Sequence, residues 1–68
     1  MQRKPTLTIT NNSGDVFTRT YNTDEEAGTL FNSTIYRSGR EVVFTPSAGN
    51  WEYIWNKELN KVFECWIN

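Results

Sequence analysis

The sequence of 68 residues contains no histidine and a single cysteine, Cys65. One cysteine cannot form a disulfide within the chain, and a structural zinc site draws its four ligands mainly from cysteine and histidine, so both are excluded. The Ser-His-Asp and Cys-His arrangements of nucleophilic enzymes are excluded as well. Because histidine is also the most frequent general acid–base residue, the composition indicates a protein that is not an enzyme.

Charge and hydropathy argue against a nucleic-acid-binding, a membrane-spanning and a secreted protein. Seven basic residues against eight acidic ones give a formal charge of −1, so the basic excess typical of nucleic-acid-binding proteins is missing. No apolar run approaches the ~20 residues of a membrane span, and no apolar stretch follows the basic N-terminus as in a secretory signal. Since a lone cysteine suits a reducing compartment, we expect a cytoplasmic protein with no membrane partner.

The chain is short for a domain that folds alone. A domain near this size buries about 60% of the surface of its unfolded chain, and its core contributes roughly 3–5 kcal/mol net. What the sequence does supply is aromatic, with three Trp, three Tyr and four Phe. We therefore expect one domain spanning residues 1–68, with residues 1–5 as a loose tail, that is stabilised by aromatic packing or by oligomerisation.

Alternating polar and apolar residues predict strands at residues 6–10 and 16–21, joined by a turn in which Gly14 takes a positive φ. Three further strands are predicted at residues 41–45, 51–56 and 61–67. With one helix between the second and third strands, the order is β-β-α-β-β-β. The sequence thus predicts an α+β fold, a mainly antiparallel sheet with one helix packed on one face.

The predicted helix covers about residues 24–37. Residues 23–26 match a capping box, in which the Thr23 hydroxyl accepts a hydrogen bond from the Glu26 amide and the Glu26 carboxylate reaches back. Gly39 is placed as the left-handed residue after the helix, and Gly28 within it predicts the close approach of an aromatic ring. The apolar face of the helix comprises residues at spacings of three and four, namely Ala27, Leu30, Phe31 and Ile35.

The C-terminal hairpin is apolar on both faces. If residues 57–60 form its turn, one face carries three facing pairs, which are Trp51 with Trp66, Tyr53 with Glu64, and Trp55 with Val62. The other face carries Ile54 opposite Phe63, followed by Cys65, which we expect to be buried and inert, and Ile67. One helix covers only one face of a sheet, so the hairpin retains surplus apolar surface, which is typical of interaction sites.

The surplus surface predicts a protein-interaction module, an inhibitor that blocks a surface of a larger protein, of the kind encoded by phages or mobile elements against host defence complexes. The alternatives are a single-stranded nucleic-acid-binding module and a homodimeric structural subunit. Trp51 and Trp55 are the first choices for exposed binding aromatics, although the same face is an equally good candidate for the core under the helix. The predicted partner-binding residues are Trp51, Tyr53, Trp55, Trp66 and Arg19.

No cofactor and no metal are expected. The acidic residues Asp24, Glu25 and Glu26 are neighbours on a helix, so their carboxylates point in different directions, and the cap and the helix dipole account for them. Residues 46–50 are too short for a phosphate-binding loop and lack its Lys-Ser/Thr pair. A turn is the simpler interpretation of that segment.

Overall fold

In the computed structural model, which describes residues 3–67, five strands form one antiparallel sheet. The elements are β1 (Thr6–Thr10), β2 (Val16–Thr20), α1 (Asp24–Phe31), a 3₁₀ turn (Tyr36–Ser38), β3 (Glu41–Thr45), β4 (Trp51–Asn56) and β5 (Lys61–Trp66). The order of strands in the sheet is β2-β1-β3-β4-β5, which leaves β2 and β5 at the edges. The predicted α+β fold and its β-β-α-β-β-β order are confirmed.

The helix packs on one side of the sheet, which we call the helix face; the opposite side is the open face. Because side chains alternate along a strand, the register places residues from neighbouring strands on a common face. Leu7 pairs with Phe44, and Val42 pairs with both Ile9 and Trp55. The buried core between the helix and the sheet consists of Leu7, Ala27, Phe31, Val42, Phe44 and Trp55.

The open face divides into two halves of different polarity. On β1 and β2 it is rich in threonine, and the Thr8 and Thr18 hydroxyls lie 3.2 Å apart in a hydrogen bond. On β3, β4 and β5 it carries apolar residues that are half-buried, namely Val43, Ile54, Phe63 and Cys65. The apolar residues of the open face are therefore concentrated in one half, where neighbouring side chains partly shield them, while the threonine-rich half carries one exposed apolar residue, Val16.

The predicted register of the C-terminal hairpin is confirmed. Trp51 faces Trp66, Tyr53 faces Glu64, and Trp55 faces Val62. The turn is closed by the Asn60 amide, which donates to the Lys57 carbonyl at 3.1 Å. Asn60 has a φ of 51°, a left-handed conformation that asparagine tolerates better than most residues.

The helix is shorter than predicted, because α1 ends at Phe31 rather than near residue 37. The backbone amide and the side-chain amide of Asn32 both donate to the Gly28 carbonyl, at 3.1 and 3.0 Å. The Ser33 hydroxyl then accepts from the Ile35 amide at 3.2 Å. Such side chains compete with the helical backbone for hydrogen bonds. Ile35 consequently leaves the apolar stripe and is 81% exposed.

Two glycine predictions are confirmed and one is wrong. Gly14 has a φ of +91°, and a Cβ on Gly28 would lie 3.7 Å from Cε2 of Phe44, so an aromatic ring does approach the helix there. Gly39 has φ −82° and ψ −169°, which is extended rather than left-handed. Glycine is required at position 39 for steric reasons, since a Cβ there would lie 2.9 Å from the Thr10 carbonyl oxygen.

Residues 3–5 are tied to the sheet, so the loose tail predicted for residues 1–5 is wrong for this part; Met1 and Gln2 lie outside the described residues. The Arg3 amide donates to the Ser47 carbonyl at 3.0 Å, and the Arg3 guanidinium donates to the Gly49 carbonyl at 3.2 Å. Pro5 is fully buried, and its carbonyl accepts from the Tyr21 amide at 2.9 Å. This segment therefore braces the loop between β3 and β4.

The start of α1 is fixed by its cap and by a contact to the same loop. The Thr23 hydroxyl accepts from the Glu26 amide at 3.1 Å, which is one of the two bonds of the predicted capping box; among residues 3–67 the return bond to the Glu26 carboxylate is not formed. The Asp24 carboxylate accepts from the Ser47 hydroxyl at 2.7 Å and from the Ser47 amide at 2.8 Å. These two bonds hold the pKa of the Asp24 carboxyl below its ordinary value.

Candidate functional site

Trp55 belongs to the core, so its choice as an exposed binding aromatic is wrong. Only 8% of its surface is exposed. The Arg37 guanidinium carbon lies 4.6 Å from the centroid of the Trp55 ring and 5.1 Å from that of Phe31. Arg37 is held there by donating to the Phe31 carbonyl at 3.0 Å. Arg37, six residues after the end of α1, thus covers the Trp55 ring on the side away from the sheet.

The helix covers the middle of the helix face and leaves its β5 end open. An eight-residue helix is only about 12 Å long, and α1 packs mainly on β1 and β3. At the β5 edge, Trp66 is 79% exposed and Val62 is 38% exposed, although both point to the same side as the core. The most exposed aromatic surface of the hairpin therefore lies on the outer part of the helix face, whereas the hairpin's most exposed large apolar residue on the open face is Ile67, at 38%.

A concavity of about 360 Å³ lies at this uncovered end. The ring centroids of Trp51 and Trp66 are 6.1 Å apart, with an interplanar angle of 77°. Tyr53 forms the inner wall and is stacked against the core residue Phe44, at a centroid distance of 5.8 Å. We call this concavity the aromatic pocket; its lining residues are Trp51, Tyr53, Glu64, Cys65 and Trp66.

The Trp51 wall of the aromatic pocket is positioned by the loop beneath it. Gly49 has a φ of +95°, and a Cβ at this position would overlap the six-membered ring of Trp51. Arg3 holds the Gly49 carbonyl, and Asp24 holds Ser47 two residues earlier. The loop between β3 and β4 is thus anchored at two points and offers Trp51 a flat backbone surface on which to lie.

The edge strand β5 carries unpaired backbone groups beside this pocket. The Ile67 amide donates to the Asn50 carbonyl at 2.7 Å, so residue 67 turns its backbone groups toward β4. In an antiparallel pair these groups alternate in direction along the strand. The amides and carbonyls of Val62, Glu64 and Trp66 therefore point away from β4, along the free edge.

Arg19 lies elsewhere, and the structure does not bring it together with the hairpin aromatics. Arg19 lies on β2, at the opposite edge of the sheet, where it faces Leu7 of β1. There it borders a separate shallow groove, in which Phe17 is 51% exposed. The predicted partner-binding set thus divides into three locations: the aromatic pocket with Trp51, Tyr53 and Trp66, the core with Trp55, and the far edge with Arg19.

Cys65 is only half-buried, and its thiol is free. The prediction of a buried thiol is wrong because β5 is an edge strand with a neighbour on one side only. Its partner across the hairpin is Glu52, on the open face. Glu64, in contrast, was missed as a site residue, although the predicted register already placed it opposite Tyr53 between two tryptophans.

Four cationic side chains, Arg37, Arg40, Lys57 and Lys61, do not all lie on one face of the sheet. Arg40 donates to the Asn12 carbonyl and Lys57 to the Ser38 carbonyl, both at 3.0 Å, while Arg37 is stacked on the core. Lys61 lies 5.3 Å from the centroid of the Phe63 ring, on the open face. Arg40 and Lys57 lie together at one end of the sheet, but Arg37 and Lys61 lie on opposite faces. These four cations therefore do not form the continuous basic track that follows a nucleic-acid backbone.

Within residues 3–67, no three side chains able to hold a metal ion converge, and no helix is long and apolar enough to cross a membrane. Comparisons of the chain with protein-family models, with curated proteins and with solved structures gave no match. Function is therefore inferred from the aromatic pocket and from the free edge of β5.

Proposed function

We propose that the protein is a small, non-catalytic interaction module that binds a larger protein through the aromatic pocket and the free edge of β5. The observation that carries this proposal is the exposure of Trp66, of which 79% faces solvent. Tryptophan is among the residues most enriched at the energetic centres of protein interfaces. Here it stands beside a second tryptophan and a row of unpaired backbone groups, which provides both apolar area and directional hydrogen bonds.

Such a module acts by occupancy, because a surface that it covers is closed to other partners. We therefore retain the interpretation of an inhibitor, of the type that phages and mobile elements direct against host defence complexes, working in the cytoplasm. The support for this step is general: a domain of 68 residues, with no histidine and one free cysteine, has little chemistry to offer apart from its surface.

A second copy of the chain is the competing occupant of the β5 edge. Free edges pair readily with other strands, including their own copies. Sedimentation of the isolated protein at micromolar concentration distinguishes the two cases. A monomer leaves the edge available for another protein, whereas a dimer that dissociates on substituting Trp66 assigns the same surface to self-association.

The proposal is tested by capturing partners from a host lysate with matched variants. Trp66→Ala removes the most exposed aromatic of the hairpin, and Phe17→Ala removes an exposed aromatic at the opposite edge of the sheet. We expect a partner that is retained by the wild type and by Phe17→Ala but is lost by Trp66→Ala. A partner that Phe17→Ala loses and Trp66→Ala retains would move the site to the groove beside Arg19.

A further inference from the structure

We infer that the partner places a basic side chain, from lysine or arginine, in the aromatic pocket, and that this side chain belongs to an extended segment paired with β5. The inference rests on the proposed function and specifies the chemistry of the partner. Three features of the pocket lead to it: a carboxylate whose charge the chain's own cations leave free, two tryptophan rings at a steep angle, and the outward backbone groups of β5.

The carboxylate belongs to Glu64, which is exposed and lines the aromatic pocket. The nearest cation in sequence, Lys61, lies over Phe63 on the open face, on the other side of the sheet. Lys57 and Arg40 donate to backbone carbonyls at the opposite end of the hairpin.

On the helix face, Arg37 is stacked on Trp55 and donates to the Phe31 carbonyl. Arg3, beneath the pocket, donates to the Gly49 carbonyl. Because these cations are engaged elsewhere, the negative charge of Glu64 is available to a cation from another molecule.

The aromatic walls favour the same kind of ligand. A cation within about 6 Å of the face of a tryptophan ring is attracted by the negative potential of that face. Both tryptophan rings line the aromatic pocket and Trp66 is 79% exposed, so aromatic surface is accessible to a cation there. Two tryptophans, a tyrosine and a carboxylate form the combination that binds ammonium and guanidinium groups in aromatic cages.

The strand edge fixes how the basic side chain arrives. An extended segment that pairs antiparallel with β5 exchanges hydrogen bonds with the outward backbone groups of Val62, Glu64 and Trp66. The residue paired with Glu64 then directs its side chain to the helix face, about 5.5 Å away between Cα atoms. A lysine or arginine at that position reaches both the carboxylate and the ring of Trp66.

The inference is tested with side-chain analogues, followed through the indole N–H signals of the three tryptophans in a ¹⁵N-labelled protein. The probes are n-butylammonium for lysine and n-propylguanidinium for arginine, with n-butanol as the uncharged control. We expect the cations to shift the signals of Trp51 and Trp66 in a saturable manner and to leave the signal of buried Trp55 unchanged. The uncharged probe should not saturate over the same range.

Matched variants separate the carboxylate from general charge effects. Glu64→Gln should weaken binding of the cations at least about threefold. Glu52→Gln removes the same charge from the same hairpin but on the open face, and it should leave the affinity unchanged. Equal shifts with n-butanol, or equal behaviour of the two variants, would overturn the assignment of a cation site.

Failure of this inference is distinct from failure of the proposed function. If the analogues do not bind while Trp66→Ala still loses the captured partner, the aromatic pocket is an interface without a basic side chain in it. If the captured partner is indifferent to Trp66→Ala, the interface itself lies elsewhere, whatever the analogues do.

Discussion

Asp24 links the first turn of α1 to the loop beneath the aromatic pocket. Its carboxylate accepts two hydrogen bonds from Ser47, one from the hydroxyl and one from the amide. Both favour the ionised form and hold the pKa of Asp24 below its ordinary value of 3.8. A single exposed side chain thus couples the helix start to the position of the loop.

The depressed pKa predicts a stability difference that depends on pH. A carboxyl whose folded pKa lies below its unfolded value contributes stability above the unfolded pKa, and this contribution is lost as the pH falls through the folded pKa. We therefore expect Asp24→Asn to be less stable than the wild type at neutral pH. The difference should shrink in acid below about pH 3.8. Urea unfolding at several pH values measures it.

Glu25→Gln is the control for that experiment, because it removes one charge from the same helical turn and leaves the bonds to Ser47 in place. It should show little loss at neutral pH. A difference between Asp24→Asn and the wild type that stays constant from neutral pH into strong acid would contradict the role assigned to the Asp24 carboxylate.

Substitution by alanine is expected to change the stability of the protein in opposite directions at Gly28 and at Gly39. A Cβ at Gly28 would make an ordinary contact of 3.7 Å with Phe44, so Gly28→Ala should stabilise the protein by up to about 1 kcal/mol through helix propensity. At Gly39 the added Cβ would lie 2.9 Å from the Thr10 carbonyl, so Gly39→Ala should destabilise it. Thermal melting of both variants tests the pair, and a loss at Gly28 would show that the helix lies closer to Phe44.

At the scale of elements, the hairpin followed from its sequence and the helix did so only in part. The register of β4 and β5 was predictable because the turn at residues 57–60 sets it, and a slip by one residue would exchange the two faces. The end of α1 was not predictable in this way, because Ile35 lies four residues after Phe31 and so continued the apolar spacing of the helix. Asn32 and Ser33 stop the helix through local side-chain hydrogen bonds. The spacing of apolar residues does not show that these bonds outweigh the tendency to continue the helix.

The hairpin supplies a pair of tryptophans that share a face and differ in burial. Trp55→Ala should cost about 3–5 kcal/mol, because it leaves a cavity in the core. In a domain of this size that is enough to unfold most of the population. Trp66→Ala should cost less than about 1 kcal/mol, since it loses little beyond the edge contact with Trp51. Urea unfolding of the two variants measures the difference.

Similar losses in both variants would contradict this division. Such a result would mean that Trp66 is folded into the core in solution, and the aromatic pocket would then be a packing feature. A mild effect at Trp55 would mean that Arg37 does not close the core over it as described.

At the scale of the whole molecule, the site results from a mismatch between a short helix and a wide sheet. The sequence predicted that surplus apolar surface would remain on the hairpin, and it contained the pairing of Trp51 with Trp66. It did not reveal which end of the face is covered, because that depends on where α1 stops and on how Arg37 folds over Trp55. Arg19 was placed with the aromatics, although three strands, β1, β3 and β4, lie between β2 and β5 in the sheet.

The central claim is that exposed Trp66 is a binding residue and not a residue of the core. The most direct measurement is the dissociation constant of a captured partner for the wild type and for Trp66→Ala, with the melting temperature of each protein alone. We expect at least about tenfold weaker binding, which corresponds to about 1.4 kcal/mol, with a melting temperature lowered by no more than about 8 °C. An unchanged dissociation constant in a folded variant would contradict the claim.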